Sequence, residues 1–195
     1  RNVSFLGGSY GGGAPNVSPV KVQGSPAPDG VTFDGVVFHD AVRTIDGSHL
    51  ECLYAADVQN FTVRNSQFRN CAVMDLFFTK LSGVDPRGIT VENNFFDRTG
   101  SHGGSLSKGF YAIKFNEVIG TVADMVIRYN SFYDPIAFTG SFSNARVVAN
   151  VGPQTACAAG VTFRYNVWTS KTCGATDKQA ASGFADPGNY DFHLA

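Results

Sequence analysis

Charge is scarce in this chain. Of its 195 residues only 16% are Asp, Glu, Lys or Arg, and the net charge is −1. That balance supplies no basic field for a phosphate backbone, so no nucleic-acid partner is expected. No apolar run reaches the roughly 20 residues of a spanning helix, so no membrane span is expected either. Helix signals are almost absent. The four cysteines (Cys52, Cys71, Cys157 and Cys173) have no zinc-finger spacing. The chain opens at Arg1-Asn2-Val3 with no initiator Met, basic n-region or signal-peptide core. Its first residues already lie inside a repeat, as expected of a processed or trimmed piece of something longer.

What is abundant is Gly, at 22, and Phe, at 17, which suits tight corners around an aromatic core. An eight-residue pattern recurs through the chain. It reads VSFLGGSY from Val3, VTFDGVVF from Val31, FTVRNSQF from Phe61, ITVENNFF from Ile89, MVIRYNSF from Met125 and VTFRYNVW from Val161, with a weaker copy, ARVVANVG, from Ala145. Each copy begins with the two-residue alternation of a strand. An Asn- or Gly-rich corner follows, because these residues tolerate left-handed backbone. An aromatic closes the copy, as at Tyr10, Phe38, Phe68, Phe96, Phe132 and Trp168. One copy cannot bury its apolar face alone, but a stack makes a continuous core, with the Asn side chains in one ladder and the aromatics in another. The expected fold is all-β: a single-stranded right-handed parallel β-helix, a solenoid of about seven coils, forming one domain over 1–195. The hand follows the general preference of parallel crossovers.

A second strand series lies between the copies: LECLYA from Leu50, MDLFFT from Met74, YAIKFN from Tyr111 and IAFT from Ile136. Leu50, Cys52 and Tyr54 read as inward, with Met74, Leu76 and Phe78, then Tyr111, Ile113 and Phe115, stacked beyond them. Loop insertions are expected at 11–30 and 98–109, and a C-terminal tail over 175–195. Cys157 and Cys173 flank the last copy and are expected to form a disulfide, which implies an oxidising compartment. Cys52 and Cys71 read as buried free thiols, because their separation along a strand is too long for a bridge.

On this reading His49, Glu51 and Asp75 face outward, with Lys114 one coil beyond. Glu51 and Asp75, 24 positions apart, would stack at the strand spacing of about 4.8 Å. Two carboxylates at that distance raise one pKa, and the separation suits a retaining glycosidase pair. Glu51, Asp75, Lys114 and His49 are therefore the candidate catalytic groups. Phe77, Phe110 and Asn116 are the candidate substrate-binding groups. The same two acids are also candidate calcium ligands. A solvated or salt-bridged face is the competing reading. Asp34, His39, Asp40 and Arg43 read as an ordinary solvated edge.

In form the repeats FTVRNSQF, ITVENNFF, MVIRYNSF and VTFRYNVW resemble those of the pectin-lyase-like superfamily of right-handed β-helix proteins, over nearly the whole chain. The tail FADPGNYDFHLA resembles the segment after the last coils of bacterial secreted members. The resemblance implies an extracellular protein, secreted or at the cell surface and bacterial, monomeric or trimeric, that binds or degrades an acidic polysaccharide by lyase or hydrolase chemistry. Catalytic motifs do not carry over. There is no adjacent Asp pair, Ser101-His102-Gly103 lacks the first Gly of Gly-His-Gly, and Ala112-Ile113-Lys114 lacks the Arg of Arg-Ile-Lys. A non-catalytic structural, adhesin or spike module is the alternative.

Overall fold

A computed structural model describes residues 3–11, 18–41, 50–97, 111–154, 156–186 and 191–194, with 186 and 191–194 described by backbone alone. Each copy of the sequence pattern contributes its strands in the same order. The first supplies β1 (Val3–Leu6), β2 (Ser9–Gly11) and β3 (Val20–Val22); the second β4 (Val31–Asp34), β5 (Val37–Ala41) and β6 (Glu51–Ala56); the third β7 (Thr62–Arg64), β8 (Gln67–Cys71) and β9 (Met74–Thr79). The fourth supplies β10 (Thr90–Glu92), β11 (Phe95–Phe96), β12 (Tyr111–Phe115) and β13 (Thr121–Ala123). The fifth supplies β14 (Val126–Arg128), β15 (Ser131–Phe132), β16 (Ile136–Ala137) and β17 (Ser141–Ser143). Then come β18 (Ala145–Val148), β19 (Val151–Gly152), β20 (Val161–Arg164), β21 (Val167–Trp168), β22 (Lys178–Gln179), β23 (Phe184–Asp186) and β24 (Asp191–Leu194). No helix occurs among the described residues.

The first strands of successive copies form a parallel sheet, here sheet A, in the order β1-β4-β7-β10-β14-β18-β20. The second strands form sheet B, β2-β5-β8-β11-β15-β19-β21-β22, and the third form sheet C, β3-β6-β9-β12-β16. The fold is thus all-β, with parallel strands in stacked sheets, an arrangement compatible with a parallel β-helix. Only β23 and β24 pair antiparallel.

Burial follows the alternation of each strand. Phe33, Val63, Val91, Ile127, Val147 and Phe163 share one inward column of sheet A and are all buried. In sheet B the rings of Phe38, Phe68, Phe96 and Phe132 stack with centroids 4.7, 4.6 and 4.9 Å apart, offset pairs that each add about 0.5–1.5 kcal/mol beyond their area. Gly152 takes the next ring position. A Cβ there would lie 2.6 Å from the Phe132 carbonyl oxygen; the missing side chain leaves room for Trp168, which follows in register.

The corner between sheets A and B carries the Asn ladder. Asn94, Asn130 and Asn150 each donate through Nδ2 to the Oδ1 of the next amide, ending at Asn166, all at 3.0 Å. The same oxygens accept the backbone N–H groups of Asn94, Asn130 and Asn150. Every donor points the same way, so the last rung has to be a pure acceptor. Asp177 fills that role: its carboxylate takes the N–H and amide of Asn166, the indole N–H of Trp168 and the N–H groups of Cys173 and Gly174.

Three expectations are corrected. Cys52 and Cys71 are not free: they are bonded, with Cα atoms 5.5 Å apart, and Cys157 and Cys173 form the second disulfide. The chain turns at Ala72 and Val73 between β8 and β9, so Cys71 is not displaced along the strand that continues to Leu76. The span 11–30 is not wholly loop, since Val20–Val22 pairs with Leu53, Tyr54 and Ala55. Strands β6 and β9 of sheet C, finally, pair at an offset of 23 rather than 24. Leu53 pairs with Leu76 and Ala55 with Phe78, so Leu53 and Ala55, not Cys52 and Tyr54, share the inward phase. LECLYA is apolar in both phases, which leaves alternation without a vote.

Candidate functional site

The register shift separates the pair on which the expected site depended. Glu51 lies opposite Met74 rather than Asp75. It is buried, and its Oε2 accepts a 2.9 Å hydrogen bond from Ser18 Oγ, which in turn accepts the Glu51 backbone N–H. That is an anchoring role, and the stacked Glu51/Asp75 calcium pair does not form. No group of three or more His, Cys, Asp or Glu side chains arranged for a metal occurs among the described residues. Lys114 and Phe77 do meet, as register partners. Lys114 Nζ lies 3.4 Å from Glu117 and 5.9 Å from the Tyr111 ring. Phe77 packs against Tyr54 and is only 3% exposed, which closes it to a sugar. Asn116 donates to Thr79 Oγ1. His49 and Phe110 lie outside the described residues.

Asp75 is the exception on this flank. It has no exposed surface, and neither carboxylate oxygen has a hydrogen-bond partner among the described residues. Burial, reinforced by the nearby charges of Asp134 and Asp97, pushes its pKa well above the usual carboxylate range.

A different surface collects exposed groups that binding can use. Along the outer face of sheet A one register column runs Leu6, Asp34, Arg64, Glu92, Arg128, Val148, Arg164. Its first half is internally neutralised: Arg64 pairs with Asp34 and Arg128 with Glu92, each at 2.9 Å. Hydrogen bonds from Asn65 hold the Asp34 pKa down against desolvation. Further on the pairing stops. Arg146, opposite Val126, and Arg164 are exposed and have no ion-pair partner among the described residues.

The adjoining corner changes at the same place. Its positions are Gly7, Gly35, Asn65 and Asn93, then Tyr129, Ala149 and Tyr165, all at positive φ. Elsewhere in the described chain every non-glycine residue at positive φ is Asn or Asp, the types that adopt this backbone most readily. Tyr129 and Tyr165 adopt it at a cost while 56% and 64% exposed. They stand two repeats apart, roughly 9–10 Å at strand spacing. Arg128 lies over the Tyr129 ring at 5.6 Å. A cavity of about 250 Å³ opens between Thr90, Val126, Arg128, Tyr129, Arg146 and Val148. Cations beside exposed aromatic faces can receive an anionic, ring-built ligand. The sequence carried one signal of this strip, Tyr in the repeat position that holds Gly or Asn in the first four copies, but not the arginines, whose partners are set by register.

Comparison of the chain with protein-family models, with curated proteins and with solved structures returns no match.

Proposed function

We propose that this chain is a right-handed parallel β-helix of the pectin-lyase-like kind, with about seven coils, that binds an acidic polysaccharide outside the cell along the outer face of sheet A. One observation carries the reading: Arg146 and Arg164 stand exposed, with no ion-pair partner among the described residues, beside exposed Tyr129 and Tyr165, whose backbone pays for that placement. Guanidinium forks suit uronate carboxylates, and tyrosine faces suit the apolar faces of sugar rings. The two disulfides support an oxidising compartment.

The test is affinity electrophoresis through polygalacturonate, with neutral dextran as control. Arg146→Glu combined with Arg164→Glu is expected to weaken retention about tenfold or more, the weight of hot-spot arginines, with dextran unaffected. Equal retention of wild type and variant refutes the reading. Release of new reducing ends supports cleavage; binding without turnover supports an adhesin-type module.

A further inference from the structure

The outer face of sheet B carries a second arrangement, distant in sequence from the arginine strip. Ser9 on β2 and His39 on β5 belong to the outward phase of their strands, since Tyr10 and Phe38 take the inward one. Ser9 Oγ lies 2.7 Å from His39 Nε2, and His39 Nδ1 lies 2.6 Å from Asp40 Oδ2. A carboxylate only accepts, so the proton of this pair sits on Nδ1, and in the neutral imidazole the Nε2 lone pair then faces the Ser9 hydroxyl. The second oxygen of Asp40 accepts a hydrogen bond from Asn70 Nδ2.

Two backbone features build the arrangement. Strand alternation would send Asp40 to the face opposite His39, but Asp40 has φ 52°, and this left-handed turn brings its carboxylate back to the imidazole. Asn70, its neighbour one repeat on, has the same φ and braces it. Gly11 is the register partner of His39. A Cβ at Gly11 would stand 1.9 Å from the His39 carbonyl oxygen and 2.8 Å from its imidazole Cγ. Only glycine there lets the ring lie across to Ser9. A cavity of about 320 Å³ opens on the group, lined by Ser9, Val37, His39, Asp40, Arg69 and Asn70.

We propose that Ser9, His39 and Asp40 form a serine-esterase site for short O-acyl esters. Ser9 Oγ attacks the ester carbonyl while His39 Nε2 takes its proton. The Oγ–acyl bond forms, the acyl–alkoxy bond breaks, and the proton passes from Nε2 to the departing alkoxide. Water then attacks the acyl-serine with His39 again as base, releasing the carboxylic acid and restoring Ser9. Asp40 orients the imidazole and stabilises its protonated form. Arg69 brings a cation to the cavity where negative charge gathers on the carbonyl oxygen. The open cavity suits an acyl group carried on a larger molecule; taking that molecule to be an acylated acidic polysaccharide rests on the reading above.

The test uses the whole chain. A fluorophosphonate probe is expected to add once, at Ser9, read by intact mass and peptide mapping. 4-Nitrophenyl acetate is expected to be hydrolysed with release of 4-nitrophenolate. Ser9→Ala should abolish the adduct and lower the rate about 10²-fold or more, and His39→Gln should do likewise. Asp40→Asn should slow both reactions with near-ultraviolet circular dichroism unchanged. Ser131, in the same sheet B column as Ser9, is the control: Ser131→Ala should leave labelling intact. No adduct at Ser9, an adduct formed equally fast in His39→Gln, or hydrolysis unchanged in Ser9→Ala overturns the proposal. Labelled Ser9 without polysaccharide retention overturns the polysaccharide reading and leaves the esterase standing; retention with Ser9 inert does the reverse.

Discussion

Asn130 and Asp75 are both closed off from water, yet they sit in differently built parts of the molecule. At the corner between sheets A and B every buried amide has a partner above, a partner below and a carbonyl beside it; Asn130 donates to Asn150, Val91 and Arg128 and accepts from Asn94. Between sheets B and C the strands are held by a disulfide from Cys52 on β6 to Cys71 on β8, and close to it Asp75 has both oxygens unpartnered. A periodic corner can repeat one hydrogen-bonding solution on each rung. Where chain lengths differ between copies, as on the way to sheet C, no single polar solution can repeat, and a covalent tie does the fastening.

Cutting each fastening in turn tests this. The largest loss is expected for Cys52→Ala with Cys71→Ala. Closing 19 residues of chain contributes about 3 kcal/mol, and both sulfurs are buried, so a cavity adds to the loss. The exposed Cys157 pair, with a separation of 16, should cost less when treated the same way. Urea midpoints of the two double variants check the order.

Next comes Asn130→Ala, which strands donors and acceptors on both neighbouring rungs and should cost about 2–3 kcal/mol. A loss as small as that of an exposed hydrogen bond would mean the ladder is decorative.

The buried Asp75 and the half-buried Asp177 should respond to pH with opposite signs. Burial alone would raise Asp177, but hydrogen bonds from Asn166, Gly174 and Trp168 hold its pKa below the ordinary 3.8. Its contribution is therefore present above that value and lost as pH falls through the lower folded pKa. The raised pKa of Asp75 works the other way: its contribution is complete below 3.8 and is lost as pH climbs through the folded pKa. Asp75→Asn should flatten the decline of the thermal midpoint on the alkaline side, and Asp177→Asn should flatten it on the acid side.

The smallest effect is a gain. Tyr129→Asn returns the corner to the residue type found at Asn65 and Asn93 and should raise stability by about 0.5–1 kcal/mol, while weakening polygalacturonate retention. A stabilised variant that retains as well as wild type would break the link between corner strain and binding.

Sheets A and B were legible residue by residue. VTFDGVVF and its relatives alternate cleanly, and Asn94, Asn130, Asn150, Asn166, Phe68, Phe96 and Phe132 stand in the columns their spacing assigns. Sheet C was legible as strands but not in register, because LECLYA offers two apolar phases and a slip of one residue exchanges faces. That slip moved Glu51 away from Asp75. His39 and Asp40 read as a solvated edge because adjacent strand residues normally face apart; the left-handed turn at Asp40 is invisible in the letters.

What the sequence determined by itself is the period: repeated alternation, corner residues and aromatics leave few ways to bury the apolar stripe other than stacking copies in parallel. What only the tertiary structure decided is which side chains meet across copies: Ser9 with His39, Cys52 with Cys71, and Arg146 and Arg164 with no ion partner among the described residues. The hydrophobic pattern specifies a column up to the step of its register, and contacts between polar groups depend on that step to within one residue.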